Sequence, residues 1–278
     1  MIIGAHLSTA GGENKLIEKI NDFEINVIQI FVSAPRNYNN SKYNQKSASV
    51  FADNIRAKTN IKQIFYHAIY LINLASSNQE LVEKSIKTLV NALYISSWMK
   101  AQGVIFHIGS SRERTFEIVK DEVASNINLI LESTPKDSTL IIETNAGQGN
   151  CVGSKFEEIK YLISKIKDKS RIGVCLDTAH SFASGYSLEN PNKLLTEFDK
   201  IVGLKYLKVI HLNDSKTEFN SNTDRHENIG KGKIGLENIK NFINLKVLKN
   251  IPFVLEVPGF DGTGPDKKNI EIVKVLIN

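Results

Sequence analysis

Ile172-Gly-Val-Cys-Leu-Asp-Thr-Ala-His180 sets the pattern for the whole chain: an apolar run ends on an aspartate, and a histidine follows three residues later. The same arrangement recurs along the sequence. Nine acidic and imidazole side chains stand where an apolar, β-branched run stops: His67, His107, Glu143, Asp177, His180, His211, Asp224, His226 and Glu256. The chain has only six histidines, and five of them belong to this set. A lone histidine after a strand is usually a structural residue, but five interleaved with four carboxylates are not explained that way. Imidazole and carboxylate together form the ligand set of a zinc-like cation. Nine ligands are too many for one tetrahedral ion, so the pattern reads as a cluster of metals.

Outward from that stretch, eight short β-rich runs alternate with helical patterns. The expected strands are Ile2–His6, Val27–Phe31, Ile61–Tyr66, Val104–His107, Thr139–Glu143, Ile172–Asp177, Tyr206–His211 and Phe253–Glu256. Between them, apolar residues recur at three- and four-residue spacing, as in Phe116-Val119-Val123-Ile127-Ile130 and Phe156-Ile159-Leu162-Ile163-Ile166. Strands alternating with helices predict a parallel sheet. The sheet is either closed, as an α/β (β/α)8 TIM barrel, or open and doubly wound. The candidate ligands decide between them, because each lies at the C-terminal end of its strand or in the loop that follows. A closed barrel gathers those ends around one axis and brings His67, Glu143 and Glu256 together. An open sheet would keep its third and eighth strands apart.

Length and composition agree. The 278 residues are ordinary for one barrel, and no linker or low-complexity tract divides them, so a single domain over 1–278 is expected. Hydrophobic residues make up 41% and charged residues 23%, as in a folded globular protein. No apolar run reaches the roughly 18 residues needed to span a bilayer. The opening Met-Ile-Ile-Gly-Ala-His runs straight into a strand without the build of a signal peptide, and a cytoplasmic enzyme is expected. Of the two cysteines, Cys175 sits within an apolar run as a buried free thiol, and no disulfide framework is implied. The formal charge of +5 is mild. Three divalent ions over four carboxylates would make the site itself net positive, which suits a phosphate group. The segment Asn37–Lys46 reads as an exposed loop entering a helix, and the polar stretch Asn213–Lys233 as a long loop ordered by metal.

Several motifs, in order, closely resemble the endonuclease IV family of apurinic/apyrimidinic endonucleases (AP endonuclease family 2). They begin with Gly-Ala-His-Leu-Ser at 4–8, Gly-Gly at 11–12 and His67-Ala-Ile-Tyr-Leu-Ile-Asn-Leu-Ala75. Phe106-His-Ile-Gly-Ser110, Glu143-Thr-Asn-Ala-Gly-Gln-Gly149 and Gly173-Val-Cys-Leu-Asp-Thr-Ala-His180 follow. His211-Leu-Asn-Asp-Ser-Lys216, Asp224-Arg-His226 with Gly230-Lys-Gly232, and Leu255-Glu256 complete the set. The chain departs from the family's pattern at Ile69, Ile108, Ser184 and Asn220, none of them a candidate ligand, and in the order Glu143-Thr-Asn.

The resemblance implies a barrel with three zinc ions, with manganese or iron as alternatives at some positions. His67, His107 and Glu143 would hold the first, Glu143, Asp177, His211 and Glu256 the second, and His180, Asp224 and His226 the third. Glu143 and Glu256 would be the catalytic carboxylates, acting on a hydroxide held by the metals, since zinc lowers the pKa of bound water to about 7. The implied reaction is hydrolysis of duplex DNA on the 5′ side of an abasic site or at 3′-blocking groups, by a monomer at the nucleoid. Arg36, Asn37, Tyr70 and Leu71 would enter the base stack around the lesion. His6 would lie near the pocket without being a ligand. Two other readings stand beside this one. A metal-dependent sugar isomerase on a similar barrel would rely mostly on carboxylates with a lysine or histidine for proton transfer. A non-cleaving binder of damaged DNA would need a disabled ligand set.

Overall fold

The computed structural model describes residues 1–31, 34, 36–38, 41 and 43–277. Its chain alternates β1 (Ile3–His6), α1 (Gly12–Phe23), β2 (Val27–Phe31), α2 (Gln45–Lys58), β3 (Gln63–His67), α3 (Gln79–Trp98), β4 (Gly103–Phe106) and α4 (Phe116–Glu132). It continues with β5 (Leu140–Glu143), α5 (Phe156–Lys165), β6 (Ile172–Asp177), α6 (Thr178–Ala183), α7 (Pro191–Ile201) and β7 (Leu207–His211). The final part holds β8 (Asp214–Ser215), β9 (His226–Glu227), α8 (Leu236–Ile243), β10 (Phe253–Leu255) and α9 (Lys267–Leu276). Eight of these strands close into a barrel in the order β1-β10-β7-β6-β5-β4-β3-β2, with every pairing parallel. The fold expected from the sequence is the one observed.

The helices start where the local chemistry allows. Asn44 and Ser47 cap α2 reciprocally, Asn78 accepts the Glu80 and Leu81 amides at the head of α3, and Asn190 precedes Pro191 at the first position of α7. In α4 the predicted stripe Val119, Val123, Ile127 and Ile130 is buried against the sheet. The sheet closes tightly at its seam: a Cβ on Gly4 would stand 1.6 Å from the Val27 carbonyl oxygen. Only glycine therefore permits the pairing of Ala5 with Ile28.

Strand ends move slightly from their expected places. The third strand starts at Gln63 instead of Ile61 and runs through His67, which pairs with Phe31 on one side and Ile105 on the other. Lys62 uses its amide to reach Asn26 O, outside the ladder. A register shift between Val174 and Cys175 adjusts β6 against β7 and leaves Asp177 opposite His211. Among the described residues, no helix is long and apolar enough to cross a membrane.

Inside the barrel, Val27, Phe65, Ile105, Ile141, Cys175, Val209 and Val254 form an apolar layer of their own, apart from the larger core between strands and helices. Burial pushes the Cys175 thiol up to about 12, so it is an inert filler of that layer. Side chains alternate in and out along a strand. Two residues beyond each member of this layer, the next inward positions carry Gln29, His67, His107, Glu143, Asp177, His211 and Glu256. In β1 the corresponding position is His6, whose ring bonds Glu256. Six of the barrel strands, and the residues directly after β4 and β10, thus supply one polar side chain each to a single upper layer.

Candidate metal centre

Three groups of donor atoms assemble at this end of the barrel, each with its atoms within 4.8 Å of one another: His67, His107 and Glu143; Glu143, Asp177, His211 and Glu256; and Asp177, His180 and His226. Glu143 joins the first two. Its Oε2 lies 3.0 Å from His67 Nε2 and 3.4 Å from His107 Nε2, while Oε1 lies 3.0 Å from His211 Nδ1. His211 Nδ1 also faces Glu256 Oε2 at 3.1 Å and Asp177 Oδ2 at 3.8 Å.

Asp224 belongs with the third group by distance, its Oδ1 standing 3.1 Å from His180 Nε2 and 3.7 Å from His226 Nε2. The two imidazole nitrogens are 3.3 Å apart. Asp177 Oδ2 comes within 3.5 Å of His226 Nε2, so this carboxylate spans the second and third groups, which the sequence did not indicate. All nine residues singled out from the sequence come together here.

The rings are held by their other nitrogens. His67 Nδ1 bonds the Ala68 carbonyl at 2.6 Å, and His180 Nδ1 bonds the Thr144 carbonyl at 2.9 Å. His226 Nδ1 lies 3.3 Å from the Glu256 carbonyl. A carbonyl only accepts, so each Nδ1 carries a proton, and Nε2 is the nitrogen each ring turns toward the centre. Such outer partners orient metal-ligating imidazoles. The donor set, with imidazole nitrogens and carboxylate oxygens converging, fits divalent cations of the zinc kind.

Electrostatics point the same way. Burial raises the Glu143 carboxyl, but His107, His211 and His180 outweigh that and hold it well below the usual carboxylate range. Burial lowers His180, yet Asp177, Asp224 and Glu143 bring it well above its ordinary value. The buried carboxylates create a field that demands positive charge, from imidazolium protons or from bound dications.

Other polar residues escaped the sequence reading. Asn213 donates from Nδ2 to Asp177 Oδ2 at 2.7 Å and accepts the Glu256 amide at 2.8 Å. Thr144 Oγ1 accepts the Asp177 amide at 2.9 Å, which gives the order Glu143-Thr-Asn a definite role. Asp214 accepts from the backbone amides of Ser215, Gly230, Gly232, Ile234 and Gly235 at 2.8–3.4 Å. That cradle, with the β8–β9 ribbon, orders the loop expected to depend on metal. A Cβ on Gly232 would meet Ser215 O at 2.3 Å, so the loop can wrap Asp214 only through glycine. Asn220 takes the left-handed backbone, φ 59°, where the family pattern has glycine.

Above the donors opens a cleft of about 1330 Å³. Its floor includes His67, His107, His180, Asp224, His226 and Glu256, and its rim carries Lys19, Arg36, Tyr70 and Arg225. Tyr70 is 59% exposed and stands edge-on to Phe31, with ring centroids 5.3 Å apart. Leu71 is 38% exposed, and its carbonyl accepts from the Tyr38 hydroxyl. Arg36 and Tyr70 line the cleft, whereas Asn37 and Leu71 are exposed but do not line it. Within the Asn37–Lys46 stretch, Asn39, Asn40 and Lys42 lie outside the described residues. The cleft also takes in Gly262, Thr263 and Gly264 from the loop after β10, whose glycine density in Gly259-Phe-Asp-Gly-Thr-Gly264 was the available signal.

Comparison with known proteins agrees with this architecture. The sequence model of the family described as Xylose isomerase-like TIM barrel matches residues 17–276. "Probable endonuclease 4" of Halothermothrix orenii is 39% identical, over 99% of this chain and 99% of that protein. "Apurinic-apyrimidinic endonuclease 1" of Plasmodium falciparum is 38% identical over 92% of this chain and 44% of its own length. The crystal structure of endonuclease IV from Thermus thermophilus superposes with a TM-score of 0.85 at 30% identity, covering 99% of this chain and 97% of that one. The chain belongs to the endonuclease IV family.

Proposed function

We propose that this protein is a zinc-dependent DNA-repair endonuclease. It hydrolyses the phosphodiester on the 5′ side of abasic sites in duplex DNA and leaves a 3′-hydroxyl and a 5′-deoxyribose phosphate. The observation that carries this reading is the pair of Glu143 oxygens, one turned to His67 and His107 and the other to His211. A fully buried carboxylate placed this way joins two cation positions above which an open cleft admits a phosphate. The names of the relatives supply the reaction class and the abasic substrate.

His67, His107 and Glu143 would hold one zinc, Glu143, Asp177, His211 and Glu256 a second, and His180, Asp224 and His226 a third. Zinc, when bound, supplies a water-derived nucleophile near neutral pH and Lewis acidity for the departing 3′ oxygen. The protein's own residues fix the geometry. Glu143 would be shared by the first two positions, and Asp177 would reach both the second and the third. The main-chain carbonyls of Ala68, Thr144 and Glu256 orient the rings of His67, His180 and His226 before substrate arrives. Lys19, Arg36 and Arg225 place positive charge along the cleft rim, where phosphates of a bound duplex would pass. Tyr70, Leu71 and Arg36 fill the gap in the stack when the abasic nucleotide turns out. The enzyme works as a monomer of one domain in the cytoplasm, at the nucleoid.

The test is incision of an end-labelled duplex bearing one tetrahydrofuran abasic analogue by the zinc-loaded protein. The reading expects one cut immediately 5′ to the analogue, with a 3′ end that a polymerase extends. Absence of incision, or cleavage on the 3′ side, would overturn it.

A further inference from the structure

Two members of the upper layer are not among the proposed ligands: His6 and Gln29. Gln29 is fully buried in β2 and makes directional contacts that no apolar residue of its size can replace. Its Oε1 lies 2.7 Å from His211 Nε2, and its Nε2 donates to Glu256 Oε1 at 2.6 Å. The same Nε2 stands 2.9 Å from His6 Nδ1, which is itself 2.7 Å from Glu256 Oε1.

An amide has one accepting end and one donating end. With Nε2 committed to the Glu256 carboxylate, which can only accept, the other end must be the carbonyl oxygen. That oxygen can only accept, so His211 Nε2 must carry the proton. His211 is thereby left with Nδ1 as its ligating nitrogen, turned to Glu143, Asp177 and Glu256. His67 and His180 use the opposite arrangement, with Nδ1 bonded to main-chain carbonyls and Nε2 facing inward. His211 has no such main-chain partner among the hydrogen bonds described for its ring, and a side chain takes that place instead.

We infer that Gln29 is a positioning residue for the second metal: one buried amide selects the ligating nitrogen of His211 and anchors the Glu256 carboxylate beside it. The inference rests on the reading of the site as a metal centre. It goes beyond the nine ligands by assigning the identity of one ligand atom to a buried residue outside that set. His6 backs the arrangement from the other side of Glu256, its ring stacked on His67 with centroids 5.8 Å apart.

The test uses the zinc-loaded full chain with Gln29→Leu and Gln29→Glu. Leucine preserves bulk and removes both hydrogen bonds. Glutamate keeps an acceptor for His211 but sets a like charge against Glu256. Zinc content under competition with a chromogenic chelator is measured together with long-range proton–nitrogen NMR of the histidine rings. In the parent, His211 shows a protonated Nε2. Gln29→Leu should lose that single tautomer and release one of its zinc ions at a chelator concentration about 10- to 100-fold lower, with the others held as in the parent. Gln29→Glu should keep the tautomer and still weaken that ion. If leucine fails to fold, glutamate carries the test alone. Parent-like zinc retention and an unchanged His211 signal in the folded variants would overturn the inference. A parent chain that binds no zinc would instead sink the metal reading beneath it.

Discussion

Glu143 Oε1 and His211 Nδ1 lie 3.0 Å apart in the interior of the barrel, and neither residue has any exposed surface. A carboxylate so enclosed is sustained only by the positive charge around it, from imidazolium or metal. Glu143→Gln keeps the shape and removes the charge that joins the first two donor groups. Changes to outer partners of metal ligands typically cost about 10- to 100-fold. Loss of this shared ligand should therefore lower incision of abasic duplex by more than about 100-fold. The far-ultraviolet circular dichroism should be unchanged, and some affinity for abasic DNA should remain. Near-parental incision at saturating zinc would remove Glu143 from the chemistry.

Tyr70 stands at the rim, 59% exposed and braced edge-on by Phe31, and Leu71 follows it, 38% exposed. An aromatic side chain held this way suits insertion into a stack better than readout of base edges. Replacing both residues with alanine should weaken binding of abasic duplex by about 1–3 kcal/mol, from lost stacking. Zinc content should not change. Binding curves matching the parent across a salt series would place the wedge elsewhere on the rim.

Much of this site was legible because the barrel imposes a period of two on each strand. A run such as Val209-Ile-His211 announces both its inward face and the residue that crowns it. Gln29 obeys the same rule two residues after Val27, yet a lone glutamine in a strand carries no chemical signature of its own. Its role appears only when β2 closes next to β1 and brings the amide to His211 and Glu256, 182 and 227 positions along the chain. Asp214 was hidden for a similar reason. Its partners are backbone amides, to which any sequence contributes, and only Gly230, Gly232 and Gly235 hinted that the loop folds around something. The extra reach of Asp177 to His226 depends on the turn into α6, where Asp177 also caps the helix by accepting the His180 amide at 2.8 Å.

Asp214 gives a prediction that separates loop order from ligand chemistry. Burial pushes its carboxyl up, against the pull of the surrounding amides, but five N–H donors still favour the ionised form at neutral pH. Asp214→Asn points an NH₂ at donors and should destabilise the fold by about 2–4 kcal/mol. Because the loop carries Asp224 and His226, the variant should also lose the ion proposed for the third position before the others. Denaturant unfolding and zinc counting under mild chelation measure the two effects. Parental stability with all zinc retained would show that the loop holds itself without the cradle.

The proposed function requires nine side chains to hold a cluster of divalent ions that cuts DNA beside an abasic site. Its most direct measurement is the zinc content per chain, followed by mass spectrometry through stepwise chelation and zinc return, with incision of a single-lesion duplex assayed on the same samples without magnesium. Three ions per fully active chain are expected, with incision that falls as they leave and recovers when zinc alone is restored. Full incision by a chain stripped of metal, or activity that appears only with millimolar magnesium, would contradict it.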